Sequence, residues 1–313
     1  MAVRKDNLLS VMPDPGSGPG QALIRNPVLL KHHQENKQIM KEIDLEKIEV
    51  RLLLEAVYQR YGYDFRDYAL STMKRRIVKC LAEEKLDTIT ALQERILHHP
   101  AVMERLLMDF SITTSTMFRD PGFFHCLREK VIPILRTYPY LRIWHAGCSC
   151  GEEVYSLAIL LTEEGLYKRS RIYATDFNEA SLEKAKQGIF PLSGMKTYTQ
   201  NYIAAGGRGT FSDYYTTKYE GARFQPSLAK NIVFAQHNLV TDGSFNEFNV
   251  ILCRNVMIYF NRELQNRVHG LLYESLMHLG FLGLGEKENL LFSPHADGYE
   301  PLDEKERLFR KVR

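Results

Sequence analysis

Leu141-Arg-Ile-Trp-His-Ala-Gly-Cys-Ser-Cys-Gly-Glu-Glu-Val-Tyr-Ser156, followed by Arg171-Ile-Tyr-Ala-Thr-Asp176, is the stretch that decides the fold class. Residues 141–146 read as a strand, Gly147 to Gly151 as a tight loop, and Glu152 to Glu164 as a helix closed by Gly165. Residues 171–176 read as a second strand ending on a carboxylate. A strand, a glycine-bearing turn, a helix and a second strand with a terminal acid make one half of a nucleotide-binding sheet. Gly147 and Gly151 permit backbone conformations that a Cβ would obstruct, so a ligand can approach closely. Asp176 lies about 25 residues beyond the loop, near the spacing at which such folds place an acid on the ribose hydroxyls.

The loop reads Gly-x-x-x-Gly and lacks the Gly-x-Gly-x-x-Gly of dinucleotide sites, so alone it is a weak signal. The helix behind it opens with Glu152 and Glu153, which would repel a pyrophosphate at that helix end. Two carboxylates suit a cationic ligand instead. S-adenosylmethionine carries an ammonium and a sulfonium and no phosphate, which turns the choice away from NAD. The plainer readings are that one of the two glutamates only complements the helix dipole, and that Asp176 is a solvated strand end. Cys148 and Cys150 lack zinc-knuckle spacing and have no second pair, so they read as small loop-filling side chains.

Outward from this core, Asn178 caps a helix ending at Gly188, and further strands fall at 232–235, 248–253 and 281–284. A long helix from about Arg262 to Leu279 separates the last two, and 308–312 reads as a closing strand. Asp120-Pro121 reads as an N-cap and first helical residue, opening a helix to about Arg136. The alternation predicts an α/β fold with a doubly wound, Rossmann-like sheet over residues 113–313. Residues of about 190 to 230, rich in Tyr, Thr and Gly, break the alternation and read as a small inserted β-subdomain.

Residues 41–112 read as a small helical N-terminal domain. Leu45, Ile48, Leu52, Leu53 and Val57 recur at helix spacing, as do Met73, Ile77 and Leu81, and Pro100 suits a first helical turn. Residues 1–40, with Pro13-Asp-Pro-Gly-Ser-Gly-Pro-Gly20, read as a flexible tail. The composition, 44% hydrophobic and 25% charged over 313 residues, is that of a globular chain with a sizeable core. A net charge of +3 does not by itself imply nucleic acid. Five scattered cysteines, no signal peptide and no membrane-spanning apolar run predict a cytoplasmic protein, expected to be a monomer.

Four stretches then carry a family resemblance. Ser111-Ile-Thr-Thr-Ser-Thr-Met-Phe-Arg-Asp-Pro121 resembles the segment joining the helical and catalytic domains of the CheR-type chemotaxis-receptor methyltransferases. Trp144 to Ser156 is similar to that family's cofactor loop, and Tyr173-Ala-Thr-Asp-Phe-Asn178 to its second strand. Phe248-Asn-Val-Ile-Leu-Cys-Arg-Asn-Val-Met-Ile-Tyr-Phe260 resembles its most characteristic stretch.

The resemblance implies a protein-glutamate O-methyltransferase that uses S-adenosylmethionine and leaves S-adenosylhomocysteine. It implies that Thr113, Ser115 and Arg119 approach the cofactor, and that Glu153, with Glu152, holds its ammonium. Asp176 would bind the ribose, Asn238 and Leu239 would frame the adenine, and Arg254 and Asn255 would close the site beside the methyl. Thr113 stands where many relatives have asparagine, and Ser115 where many have threonine. Arg119 and Tyr259 are the candidate catalytic residues: the guanidinium to grip an incoming carboxylate, the phenol to line the methyl path. Their plainer readings are a salt bridge with Asp120 or Glu129, and core packing.

The implied partner is the cytoplasmic part of a methyl-accepting chemoreceptor. Lys74, Arg75, Arg76 and Lys79 cluster on one predicted helix, with Arg75 and Lys79 on a shared face, and would draw an acidic helical partner, although such faces are commonly only solvated. The inserted β-subdomain resembles one with which some relatives tether a receptor's C-terminal peptide. Among rival readings, a nucleic-acid amine methyltransferase would carry prolines after the fourth strand, and Asn255-Val-Met-Ile-Tyr259 has none. A catalytically silent cofactor-binding module would have lost polar site residues, and usable ones stand at these positions.

Overall fold

A computed structural model describes residues 45–110, 115–218, 221–291 and 293–313, with Lys218 described for its backbone alone. The chain divides into two units between Arg51 and Leu52. Of the first, residues 45–51 are described and are helical. The expectation for residues 1–40 lies outside the described residues, as does that for Thr113.

Helix α1 (45–61) is followed by α2 (Leu70–Glu84), α3 (Ile89–His98) and α4 (Pro100–Phe110). Pro100 occupies the first turn of α4, where its missing N–H has no intrahelical partner to lose. The buried stripe of α1 is offset from the expected one. Leu53, Leu54 and Val57 are buried, whereas Leu45, Ile48 and Leu52 are more than half exposed. Apolar residues cover so much of this helix that spacing alone does not choose the face.

The main sheet holds β1 (Leu141–Ala146), β2 (Ser170–Asp176), β6 (Ile232–Gln236), β7 (Phe248–Cys253), β8 (Leu276–Leu284), β9 (Tyr299–Asp303) and β10 (Leu308–Lys311). Their spatial order is β6-β2-β1-β7-β8-β10-β9. The first five strands run parallel, and β10 and β9 close the sheet antiparallel. Successive side chains feed two separate cores, as strand pleating requires. Ile143, Ile172, Val250, Leu252 and Phe281 enter one core; Trp144, Ile251, Cys253, Leu282 and Leu284 enter the other.

Helix α7 (Glu152–Glu163) is buried from Glu152 through Leu161, which is why its sequence shows no polar face. Helix α8 (Glu179–Gln187) is capped by Asn178, whose Oδ1 accepts from the Ala180 and Ser181 amides, and it ends on left-handed Gly188.

Three expectations are corrected. Asp120 adopts φ +53 and makes no cap bond; its carboxylate turns to Arg254 instead. The helix it opens is broken into α5 (Pro121–Cys126), a π turn at Leu127–Val131 and α6 (Ile132–Leu135), since Pro133 cannot donate to the helical ladder. Helix α11 (Arg262–Ser275) stops short of Leu279. The apolar residues beyond it enter β8 through a register shift against β7, with Leu279 at φ +62.

The insertion contains the expected small sheet, ordered β3-β5-β4 from β3 (Ile189–Pro191), β5 (Gly221–Phe224) and β4 (Tyr215–Lys218). It also contains a helix, α9 (Met195–Ala204), which the β-rich reading did not foresee, and short α10 (Pro226–Ala229) follows it. No helix among the described residues is long and apolar enough to cross a membrane.

Candidate active site

Two contiguous cavities lie where the parallel strands end, the place where open α/β sheets take their ligands. The larger, about 650 Å³, is walled by Tyr68, Phe110, Phe177, Leu239, Val240 and Phe260, with Asp176, His237 and Asn238 at its polar edge. The smaller, about 410 Å³, is lined by Ser115, Arg119, His145, Cys148, Glu153 and Arg254. Gly147, Ser149, Asn255 and Tyr259 line both. An apolar chamber with one buried carboxylate thus adjoins a polar chamber with fixed charges.

The loop after β1 shapes the join. Gly147 has φ +73, and a Cβ on it would sit 2.5 Å from Val256 Cγ2. Glycine is therefore required both for the conformation and for the close approach of the loop after β7. The Gly147 and Cys148 amides donate to the Thr175 carbonyl, and the Ser149 amide donates to Asp176 Oδ2 at 2.9 Å. Asp176 Oδ1 accepts from the Asn178 amide at 2.9 Å. Burial raises the Asp176 pKa, and these N–H groups oppose that shift. Each oxygen keeps lone-pair capacity for a further donor.

In the polar chamber Glu153 accepts from Arg254 Nη1 at 2.7 Å and pairs with His145 Nε2 at 3.1 Å. Burial raises the Glu153 pKa, but the Arg254 and His145 charges and bonds outweigh it and bring it down to about 2. Arg254 also reaches Asp120 at 2.8 Å and the Arg119 carbonyl, and it stacks over Phe123 at 4.1 Å. Arg119 lies 4.0 Å from Asp120 and is partly exposed. Burial raises the Tyr259 pKa, while Arg76, Arg119 and Arg75 lower it. Three guanidinium groups therefore act electrostatically on the Tyr259 phenol, and of them Arg119 lines the chamber.

Of the residues singled out in the sequence, Ser115, Arg119, Glu153, Asp176, Asn238, Leu239, Arg254, Asn255 and Tyr259 meet on these two cavities. Glu152 does not line either one. It is buried with Oε2 unpartnered, and burial pushes its pKa up to about 7. Glu152 is thus set apart from Glu153, because α7 directs consecutive side chains about 100° apart. On α2, Arg76 donates to the Asp109 carbonyl and Lys79 pairs with Asp109 and Glu83, so part of the basic face is neutralised from within.

Sequence reasoning missed Tyr68 and Phe110, which the helical region contributes to the larger cavity. It also missed His145 and His237. The histidines directly flank the loop and Asn238, so position was a usable signal; nothing local marked Tyr68.

The cavities fit an adenosine donor with a charged tail. His145 Nδ1, Ser149 Oγ, Arg254 Nε and Asn255 Oδ1 are buried without a hydrogen-bond partner around the polar chamber. Orphaned buried polar atoms of this kind ask for a ligand. Asp176 faces the aromatic chamber, where a ribose hydroxyl pair and a base would lie side by side.

Comparison with known proteins agrees. Residues 113–304 match the family "CheR methyltransferase, SAM binding domain", and residues 48–111 match "CheR methyltransferase, all-alpha domain". A Pseudomonas putida protein named Cher3 is 52% identical over 84% of this chain and 97% of its own length. The chemotaxis protein methyltransferase of Listeria monocytogenes is 30% identical over 79% of this chain and 92% of its own. That of Salmonella typhimurium is 29% identical over 85% and 88%.

Proposed function

The chain belongs to the CheR methyltransferase family, and from that premise we propose that it methylates glutamate side chains of chemoreceptors to methyl esters. It is an S-adenosylmethionine-dependent methyltransferase acting in chemotaxis-type signalling. The bound donor supplies an electrophilic methyl on sulfur. The chain's own residues hold and align the two reactants.

Asp176 takes the ribose hydroxyls, and Asn238 and Leu239 frame the base against Phe177 and Tyr68. Glu153 offers its remaining lone pairs to the ammonium, with Ser115, Asn255 and His145 around it. Arg119 orients the acceptor carboxylate and Tyr259 lines the methyl path. The observation that carries the acceptor class is the partly exposed Arg119 guanidinium, which lines the polar chamber with Tyr259 and can draw an anion.

A glutamate carboxylate is ionised at neutral pH, so the site needs no strong general base. Positioning near 3 Å and exclusion of water are the remaining tasks. Opposite charges neutralise as the bond forms, so a tight grip on the carboxylate would favour the ground state. Arg119, partly exposed and close to Asp120, is a grip of moderated strength. Lys74, Arg75, Arg76 and Lys79 remain our docking candidates for the receptor, with Arg75 and Arg76 felt at Tyr259. The β3-β5-β4 edge is a candidate tether for a receptor peptide.

The test is incorporation of labelled methyl into receptor cytoplasmic fragments. Methanol released in mild alkali supports glutamyl esters; alkali-stable label, or none, overturns the acceptor assignment.

A further inference from the structure

Glu288 lines neither cavity, yet its carboxylate organises the loop that shapes both. It is 4% exposed. Oε2 accepts from the Gly285 amide at 2.6 Å and the Asn255 amide at 2.9 Å. Oε1 accepts from the Val256 amide at 2.9 Å and the Met257 amide at 2.7 Å. Four backbone donors thus converge on one buried side chain.

Three of those donors belong to the segment after β7. That segment supplies Arg254, Asn255, Val256 and Tyr259 to the cavities. Its geometry is not self-supporting, since Asn255 sits at φ +60, a region that asparagine tolerates and rarely prefers. The far end is pinned separately: the Ala69 amide donates to the Tyr259 carbonyl at 2.8 Å, and the Asn261 amide to the Asp67 carbonyl at 2.9 Å. The near end has Glu288. Gly285 permits the approach, because a Cβ there would lie 2.7 Å from the Asn255 nitrogen and 2.8 Å from Glu288 Oε2.

We propose that Glu288 is a positioning residue for methyl transfer, its carboxylate clamping the Asn255–Met257 backbone so that Arg254, Asn255 and Tyr259 face the donor and acceptor in register. The inference rests on the donor site assigned above. Only an acceptor-only group fits: an ionised carboxylate offers about four lone-pair sites to four N–H donors. A glutamine of the same size would turn an NH2 against two of them and leave those amides orphaned.

Glu288→Gln in the full chain tests this by amide hydrogen exchange, which needs neither donor nor acceptor. The Asn255, Val256 and Met257 amides are expected to exchange at least tenfold faster while β1 and β7 stay protected. With a receptor fragment, kcat is expected to fall tenfold or more and the donor KM to rise several-fold. Wild-type exchange at those three amides overturns the clamp. So does a kcat loss that merely matches the fraction of molecules unable to bind S-adenosylhomocysteine, with KM unchanged.

If Glu288→Gln does not fold, Gly285→Ala crowds the same Asn255 nitrogen from the other side. It is expected to lower kcat likewise, and unchanged kcat overturns the proposal. If wild type transfers no methyl to receptor fragments, the acceptor assignment fails, and exchange together with S-adenosylhomocysteine affinity still judges the clamp.

Discussion

Arg254 Nη1 lies 2.7 Å from Glu153 Oε2, and both side chains are almost wholly withdrawn from solvent. Arg254 directly follows β7 and Glu153 lies in the first turn of α7, so the pair ties the segment after β7 to the start of that helix. A second bond from Arg254 to Asp120 at 2.8 Å brings in the segment that carries Arg119. An ionic chain therefore runs from buried Glu153 through buried Arg254 to the partly exposed Asp120, with the charge of Glu153 already committed before any ligand arrives.

Breaking that pair strands a buried guanidinium. Glu153→Gln is expected to destabilise the protein by about 3 kcal/mol, the lower end of the range for such breaks, because Asp120 still serves Arg254. The folded pKa of about 2 lies below the ordinary 4.5, so the contribution is present above pH 4.5 and is lost as pH falls toward 2. Urea unfolding should show the gap to wild type at pH 7 and a smaller one at pH 3. An equal gap at both values would contradict the assignment.

Glu152 behaves in the opposite sense. Its folded pKa of about 7 exceeds the ordinary 4.5, so the folded state holds an extra proton between those values and wild type loses stability as pH rises through them. Glu152→Gln is expected to be more stable than wild type at pH 8 by up to about 3 kcal/mol, converging below pH 4.5. Thermal unfolding at pH 5 and pH 8 checks this. Affinity for S-adenosylhomocysteine should stay within twofold; a tenfold loss would restore Glu152 to the donor site.

Asp176→Ala should weaken S-adenosylhomocysteine binding tenfold or more, the loss of one to two hydrogen bonds to a charged group. The Ser149 and Asn178 amides also lose their acceptor, so loop geometry adds to the effect. Calorimetry measures it, and unchanged affinity would remove Asp176 from the ribose.

Arg119→Ala should lower turnover more than it lowers donor affinity if the guanidinium, which lines the polar chamber, orients the acceptor as proposed. Steady-state kinetics with a receptor fragment, beside calorimetry with S-adenosylhomocysteine, separates the two. A mutant of full activity would end the orienting role.

Local signals reached far into this protein. Loop glycines, the strand-end acid and the Asn178 cap work through neighbours a few residues away, so spacing alone revealed them. The residues named after β6 and β7 came only from the family resemblance, and the structure brings them to the same sheet edge because parallel strand ends converge by topology. Asp120 shows the limit. As Asp-Pro it promised a helix cap, but Arg254, 134 residues away, claimed its carboxylate.

The sequence by itself determined the strand–helix alternation, the phosphate-free character of the donor loop and the family, since each is written in short-range pattern. Tertiary structure alone decided which of two adjacent glutamates lines the polar chamber, that Tyr68 and Phe110 wall the apolar one, and that Glu288 accepts from the loop joining them. These depend on contacts between segments far apart in the chain. A residue's own neighbours carry no record of which distant backbone amide or guanidinium will be brought within 3 Å of it.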